Sequence, residues 1–178
     1  MSSLPQLELV LGCMYSGKSS VLLKKLGEWQ SMEKRCVVVN HTNDTRCGEE
    51  IRTHSGSTYQ AYKYKSLENF ESWQEYDVIL VDEGQFFLDV VECVRKYLEA
   101  GKTVIVAGLS GDSNQKPFEN MCGLLSLADH VVYTRALCSM CRDGTPASFS
   151  RRLVKSKVRL LPGGSDIYMA VCRKHLEE

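Results

Sequence analysis

At 178 residues, with 43% apolar residues and 22 basic against 22 acidic side chains, the chain is long enough for one domain with a real core and a small appended lobe. A formal net charge of zero excludes a general electrostatic pull toward nucleic acid or an anionic membrane, and no segment approaches the ~18 consecutive apolar residues of a spanning helix. The opening Met1-Ser2-Ser3-Leu4-Pro5-Gln6 has neither the charged nor the apolar region of a signal peptide. The expectation is a cytosolic protein whose eight cysteines stay reduced, so that closely spaced cysteine pairs read as metal ligands.

Leu7 to Leu11 reads as a short buried strand. Gly12-Cys13-Met14-Tyr15-Ser16-Gly17-Lys18-Ser19 follows and matches G-x-x-x-x-G-K-[ST], the phosphate-binding loop, in the strand-before and helix-after setting that motif requires. Its glycines let the backbone curl so that several N–H groups face one anion. A helix N-terminus adds a positive dipole end, Lys18 reaches the β- and γ-phosphates, and the Ser19 hydroxyl holds Mg²⁺. Ser16 to Gln30 has helical spacing, with Val21, Leu22, Leu26 and Trp29 on one face.

Cys36 to Val39 and Asp77 to Val81 are the next strand candidates. The second of them ends in Asp82-Glu83. In an open α/β sheet ligands gather beyond the carboxyl ends of the strands, so Asp82 there faces Mg²⁺ and Glu83, one step further out, can take a proton from an attacking hydroxyl. Of the adjacent Phe86 and Phe87, the common fate is core, with one able to face a flat base. Phe87 to Ala100 reads as a helix closed by Gly101, and Thr103 to Ala107 as a further strand. Strands alternating with helices, with runs as apolar as Val78-Ile79-Leu80-Val81, predict an α/β fold with a parallel sheet covered on both faces.

The alternation fades after Leu137. This divides the chain into a nucleotide-binding domain over residues 1–137 and a small lobe over 138–178. The lobe opens on the CxxC of Cys138 and Cys141 and ends near the CxxH of Cys172 and His175. Two close pairs separated by a loop give the Cys₃His tetrahedral set of a structural zinc site, with no open position for chemistry. The metal would fasten the end of the chain to the start of the lobe. A redox CxxC would leave the second pair unexplained. The other cysteines (Cys13, Cys36, Cys47, Cys93 and Cys122) read as small buried hydrophobes, and His41, His54 and His130 as structural.

Taken together, these motifs resemble the type II, zinc-containing thymidine kinases over nearly the whole chain. The resemblance rests on the phosphate loop and on Asn43-Asp44-Thr45-Arg46 with Thr53-His54. It continues through Asp82-Glu83-Gly84-Gln85-Phe86, Lys116-Pro117-Phe118 and Phe149-Ser150-x-Arg152-Leu153, and closes with Gly163-Gly164-x-Asp166-x-Tyr168 and the final Cys/His pair. It implies a P-loop core related to the RecA-like ATPases, a zinc-bearing lasso lobe and a homotetramer. It further implies transfer of the ATP γ-phosphoryl to the 5′-hydroxyl of thymidine or deoxyuridine, and leaves open whether thymidine triphosphate inhibits as the end product. By position Glu83 is the general base. Asp44, Arg46, Asp82 and Gln85 join the loop around the nucleotide and its metal. Met14, Phe86, Leu109, Phe118 and Tyr168 line the thymine pocket, and Ser150 with Arg159-Leu160-Leu161-Pro162-Gly163 belongs to the lasso that reads the base.

The chain departs from the family pattern at several places. Ser110 replaces an Asp, Ser113 replaces an aromatic of the pocket wall, and Cys13 takes a position commonly Pro. The loop over residues 142–147 is longer than usual, and His175 replaces a Cys, which tetrahedral zinc accepts. Two other readings of the motifs remain open at this level. One is a zinc-ribbon ATPase stimulated by nucleic acid, disfavoured by the charge balance. The other is a zinc-stabilised nucleotide sensor without turnover, disfavoured by the presence of Glu83.

Overall fold

The computed structural model describes residues 5–44, 50–52 and 58–176. In chain order the core runs through β1 (Gln6–Gly12), α1 (Lys18–Ser31) and β2 (Cys36–His41). A short antiparallel pair, β3 (Glu50–Arg52) and β4 (Thr58–Gln60), comes next. It leads to β5 (Tyr62–Tyr64), β6 (Val78–Val81), α2 (Val90–Glu99), β7 (Thr103–Leu109), α3 (Glu119–Leu125) and β8 (His130–Thr134). Six strands form one sheet in the order β5-β2-β6-β7-β1-β8, and every pairing within it is parallel.

The side-chain period of two explains the layering. Leu7, Leu9, Val37, Val39, Ile79, Val81, Val104 and Val106 point to one face, where Val90, Val94 and Tyr97 of α2 and Leu124 of α3 complete the larger core. The intervening residues Val10, Val38, Val78, Leu80, Ile105 and Ala107 point to the other, against Leu22 and Leu26 of α1. Val21 and Trp29 flank that contact, as the helical spacing predicts. With both faces covered, the strands must be apolar at every position, and β6 is buried throughout.

The starts of both predicted helices differ from the sequence reading by more than a residue. The first helix begins at Lys18 rather than Ser16, because residues up to Gly17 belong to the phosphate loop and Gly17 has φ 83°. The second begins at Val90 rather than Phe87, because Gly84–Phe86 forms a 3-10 turn instead. Two strands of the six-stranded sheet, β5 and β8, were not apparent in the sequence. Both are edge strands, and half-exposed residues such as Tyr62 and Tyr133 break the apolar pattern there.

The remaining strands are two short antiparallel pairs. β9 (Ala136–Leu137) pairs with β10 (Pro146–Ala147), and β11 (Phe149–Arg152) pairs with β12 (Tyr168–Val171). They surround a small cluster of Ala136, Cys138, Ala147, Ala170 and Val171, which also takes in Cys13 of the phosphate loop. The lobe therefore packs directly on that loop. Among the thiols read as buried, Cys13 and Cys93 are so, Cys36 is partly covered, and Cys122 is exposed. Cys122 lies on α3, whose inward residues are Met121 and Leu124. Cys47 and His54 lie outside the described residues.

Candidate active site

The phosphate loop joins the end of β1 to the start of α1, and two of its glycines are required. A side-chain carbon on Gly12 would lie 2.5 Å from the Thr134 carbonyl oxygen of β8, closer than atoms can pack. Gly17 occupies the left-handed region at φ 83°. Tyr15, at φ 63°, carries the same conformation without being glycine, a cost that folds tend to concentrate at functional sites. Ser16 Oγ donates to the Cys13 carbonyl at 2.8 Å, and Lys18 Nζ donates to the same oxygen at 2.7 Å. The lysine thus lies curled inside its own loop.

β7 lies between β1 and β6, yet the segments that follow those two strands meet beyond it. Ser19 Oγ donates to Asp82 Oδ2 at 2.9 Å, so a hydroxyl and a carboxylate stand together at the floor of the cleft. Asp82 Oδ1 accepts the Glu83 N–H at 3.0 Å. Asp44 is buried nearby, with its Oδ2 receiving Asn40 Nδ2 at 2.9 Å. Hard oxygen donors of this kind suit Mg²⁺.

Glu83 is 7% exposed and has φ 54°, which turns its side chain away from the strand direction and into the cleft. Gln85 fixes it there. The Gln85 amide donates through Nε2 to Glu83 Oε2 at 2.5 Å, while its Oε1 accepts the Leu109 N–H at the end of β7 at 3.0 Å. Of the two adjacent aromatics, Phe87 is fully buried in the core and Phe86 lines the cleft. Phe86 stacks on His41, with centroids 5.4 Å apart. His41 accepts the Asn43 N–H through Nδ1 at 2.9 Å, and its Nε2 meets the Lys65 carbonyl at 3.0 Å, which requires the neutral Nε2–H tautomer. Burial holds its pKa below the ordinary value, partly offset by the Lys65 carbonyl. The ring therefore supports the segment carrying Asn43 and Asp44, as a structural histidine.

The small lobe closes the other side. Ser150 Oγ on β11 accepts the Met14 N–H at 2.9 Å. The Tyr15 hydroxyl donates to the Tyr168 carbonyl of β12 at 3.3 Å, and Tyr168 in turn donates its hydroxyl to the Leu161 carbonyl at 2.9 Å. The result is one continuous cleft of about 280 Å³. One end is lined by Lys18, Ser19, Asp44 and Asp82, the other by Phe86, Leu109, Phe118 and Tyr168, and Glu83 belongs to the same cleft.

At the far end of the lobe Cys138, Cys141, Cys172 and His175 converge, their ligand atoms all within 4.8 Å of one another. The Cys141–Cys172 sulfur separation is 3.7 Å, and His175 Nδ1 lies 3.4 Å and 3.5 Å from those two sulfurs. Four ligands on a tetrahedron with Zn–S of about 2.3 Å would have edges of about 3.8 Å, so the donor set fits zinc. Burial works against a Cys138 thiolate, but the N–H groups of Cys141, Cys172 and Met140 together with His175 outweigh it, bringing its pKa down to about 6. Burial first, and the crowding of the other thiols second, push Cys141 up to about 11.

The comparisons with known proteins agree with this geometry. Residues 5–176 match the family described as Thymidine kinase. The chain belongs to the thymidine kinase family. It is 41% identical over 170 residues to the thymidine kinase of Myxoma virus (strain Uriarra), covering 95% of this chain and 94% of that one. It is 38% identical over 169 residues to the thymidine kinase of Vaccinia virus (strain Western Reserve), covering 94% of each. Among solved structures the Legionella pneumophila ATPase DotB aligns with a TM-score of 0.48, covering 89% of this chain and 48% of that one at 13% identity, too weak a likeness to carry an argument.

The residues expected of a thymidine kinase are largely gathered in the cleft. At the phosphate-loop end it is lined by Met14, Tyr15, Gly17, Lys18, Ser19, Asp44, Asp82 and Gln85. Gly12, Cys13 and Ser16 shape the loop from behind it, and Arg46 lies outside the described residues. On the other side Ser113, Ser150 and Arg159 through Gly163 join Met14, Phe86, Leu109, Phe118 and Tyr168. Asp112 also lines the cleft and was missed. Its signal was the turn composition of Ser110-Gly111-Asp112-Ser113-Asn114, in which an Asp commonly binds following amides. Here Asp112 Oδ1 accepts the Asn114 and Lys116 N–H groups at 2.8 Å and 2.9 Å.

Proposed function

We propose that the protein transfers the γ-phosphoryl group of ATP to the 5′-hydroxyl of thymidine, and of deoxyuridine, giving the 5′-monophosphate and ADP. The observation that carries this reading is the single cleft in which Glu83 shares a wall with both a phosphate loop and an apolar, aromatic-lined end. In the reading, the loop amides and Lys18 hold the triphosphate, with Lys18 leaving the Cys13 carbonyl for the phosphates. Ser19 and Asp82 would hold Mg²⁺, which would supply positive charge against the triphosphate. The 5′-oxygen attacks the γ-phosphorus, the bond from that phosphorus to the β,γ-bridging oxygen breaks, and the hydroxyl proton passes to the Glu83 carboxylate. Gln85 keeps that carboxylate aimed. Most of the rate arises from positioning and charge stabilisation. The Cys₃His site would hold a structural zinc that fixes the lobe. Residues 138–178 act as a lasso unit on the domain formed by 1–137. Family membership also supports a cytoplasmic homotetramer subject to feedback by thymidine triphosphate; no helix among the described residues is long and apolar enough to cross a membrane.

Ser113 sets the size of the base end in this reading, because a short side chain stands where the family commonly has an aromatic. Thymidine analogues with a longer 5-alkyl group are therefore expected to be accepted. Ser113→Phe should lower kcat/KM for 5-ethyl-2′-deoxyuridine relative to thymidine by about ten-fold, the scale at which a hydrophobic pocket senses a methylene. An unchanged ratio would place residue 113 away from the base.

A further inference from the structure

Residues 153–167 connect β11 to β12, and the first part of that connection, the strap over 153–163, contributes Arg159 through Gly163 to the cleft. Within the lobe this strap is shaped by its own carbonyls. Arg152 donates through Nη1 to Val158 O at 2.8 Å and through Nη2 to Arg159 O at 2.7 Å, and its guanidinium lies over the Tyr168 ring at 5.5 Å. These contacts set the path of the strap but do not join it to the other domain. The Arg159 side chain does. Its Nε donates to Asp112 Oδ2 at 2.9 Å, its Nη1 to Glu119 Oε2 at 3.1 Å, and its Nη2 to the Pro117 carbonyl. Its guanidinium also covers the Phe118 ring at 5.0 Å. Arg159 thereby ties the strap to Asp112 and to residues 117–119, beside the packing of Leu160 against the larger core.

The partners differ in weight. Glu119 has its side chain 81% exposed, and an exposed pair contributes little. Asp112 has its side chain 2% exposed. Its Oδ1 is occupied by two amides, so Arg159 is the group that meets Oδ2. Burial opposes the charge on Asp112, yet the Lys116 and Asn114 amides and then Arg159 outweigh it and hold the carboxyl below the ordinary range. The contact needs a planar fork that reaches a carboxylate, a carbonyl and a ring together, which an ammonium cannot supply.

We propose that Arg159 is a positioning residue that latches the 153–163 strap onto Asp112, and that this latch sets the affinity for the nucleoside rather than for ATP. The proposal rests on the reading that the apolar end of the cleft holds the nucleoside. The phosphate end is built from Lys18, Ser19 and Asp82, none of which the latch touches.

The test compares Arg159→Gln, Arg159→Lys, Asp112→Asn and the Arg159→Gln/Asp112→Asn double variant. Asp112→Asn keeps an oxygen for the two amides while removing the acceptor from Arg159. Arg159→Gln and Asp112→Asn should each raise the thymidine KM about ten-fold with the ATP KM and kcat within about two-fold, and the double variant should be no worse than either single one. Arg159→Lys should fall between parent and Arg159→Gln. A second readout needs no catalysis. Lys155 and Lys157 are exposed trypsin sites inside the strap, and cleavage after them in the ligand-free protein should be faster in both single variants. Thermal melts accompany each variant; should Arg159→Gln not fold, the Arg159→Lys and Asp112→Asn variants decide. Unchanged thymidine KM and cleavage rate in the folded variants would overturn the latch. So would additive effects, or an equal rise in both KM values. A parent protein that phosphorylates no nucleoside would instead defeat the proposed function, and the trypsin comparison would still judge the latch.

Discussion

Replacing Glu83 with glutamine is expected to lower kcat for thymidine phosphorylation by about 10²–10⁴-fold, the usual contribution of a positioned general base. The substitution is close to isosteric, and the Gln85 Nε2 that donates to Glu83 Oε2 can donate equally to an amide oxygen. The cleft should therefore keep its shape, the melting temperature should stay near that of the parent, and the KM values for thymidine and ATP should change by no more than about two-fold. That pattern separates loss of the proton acceptor from loss of binding. Steady-state kinetics with both substrates varied checks it. Parent-level turnover in the variant would remove Glu83 from the role of base. The backbone gives an independent reason to single the residue out. A non-glycine φ of 54° is costly, and β6 tolerates it at the step where its chain leaves the sheet and enters the cleft.

Removing the metal from the Cys₃His site should have the second large effect. The lobe's buried cluster consists mainly of alanines, cysteines and one valine, side chains that bury little apolar area. A unit of this size with so small a core depends on a further constraint. Structural zinc supplies about 10–16 kcal/mol in small zinc peptides near neutral pH, more than such a core can replace. Cys172→Ser, or strong chelation of the parent, is expected to abolish nearly all thymidine phosphorylation. The contacts from Ser150 to Met14 and from Tyr168 to Tyr15 would be lost with the lobe, so ATP binding should weaken as well, while the larger core around β6 and β7 still melts cooperatively. Elemental analysis should find one zinc per chain. A metal-free protein with parent-like melting and turnover would rule the structural role out.

The parts of this architecture that were readable in advance are those written locally in the chain. Val78 to Val81 and Thr103 to Ala107 announce buried parallel strands, because both faces of the sheet need apolar side chains. The phosphate loop and the Cys/His pairs carry their chemistry in residue type and spacing. The parts that were not readable depend on encounters between distant residues. Asp112 and Arg159 are 47 positions apart, and Met14 and Ser150 are 136 apart, so no local pattern joins them. Gln85 looked like one more polar residue near the nucleotide. Its tie to Glu83 and to the Leu109 amide appears only once β6 and β7 lie side by side. The edge strands β5 and β8 escaped notice for a simpler reason, since exposure on an edge removes the continuous apolar run by which inner strands are recognised.

Transfer of a labelled γ-phosphate from ATP to a panel of thymidine, deoxyuridine, deoxycytidine and deoxyadenosine tests the central claim most directly. Label should appear in the monophosphates of thymidine and deoxyuridine, with little release of inorganic phosphate. Label in neither pyrimidine product, or release of inorganic phosphate indifferent to the nucleoside, would contradict the assignment.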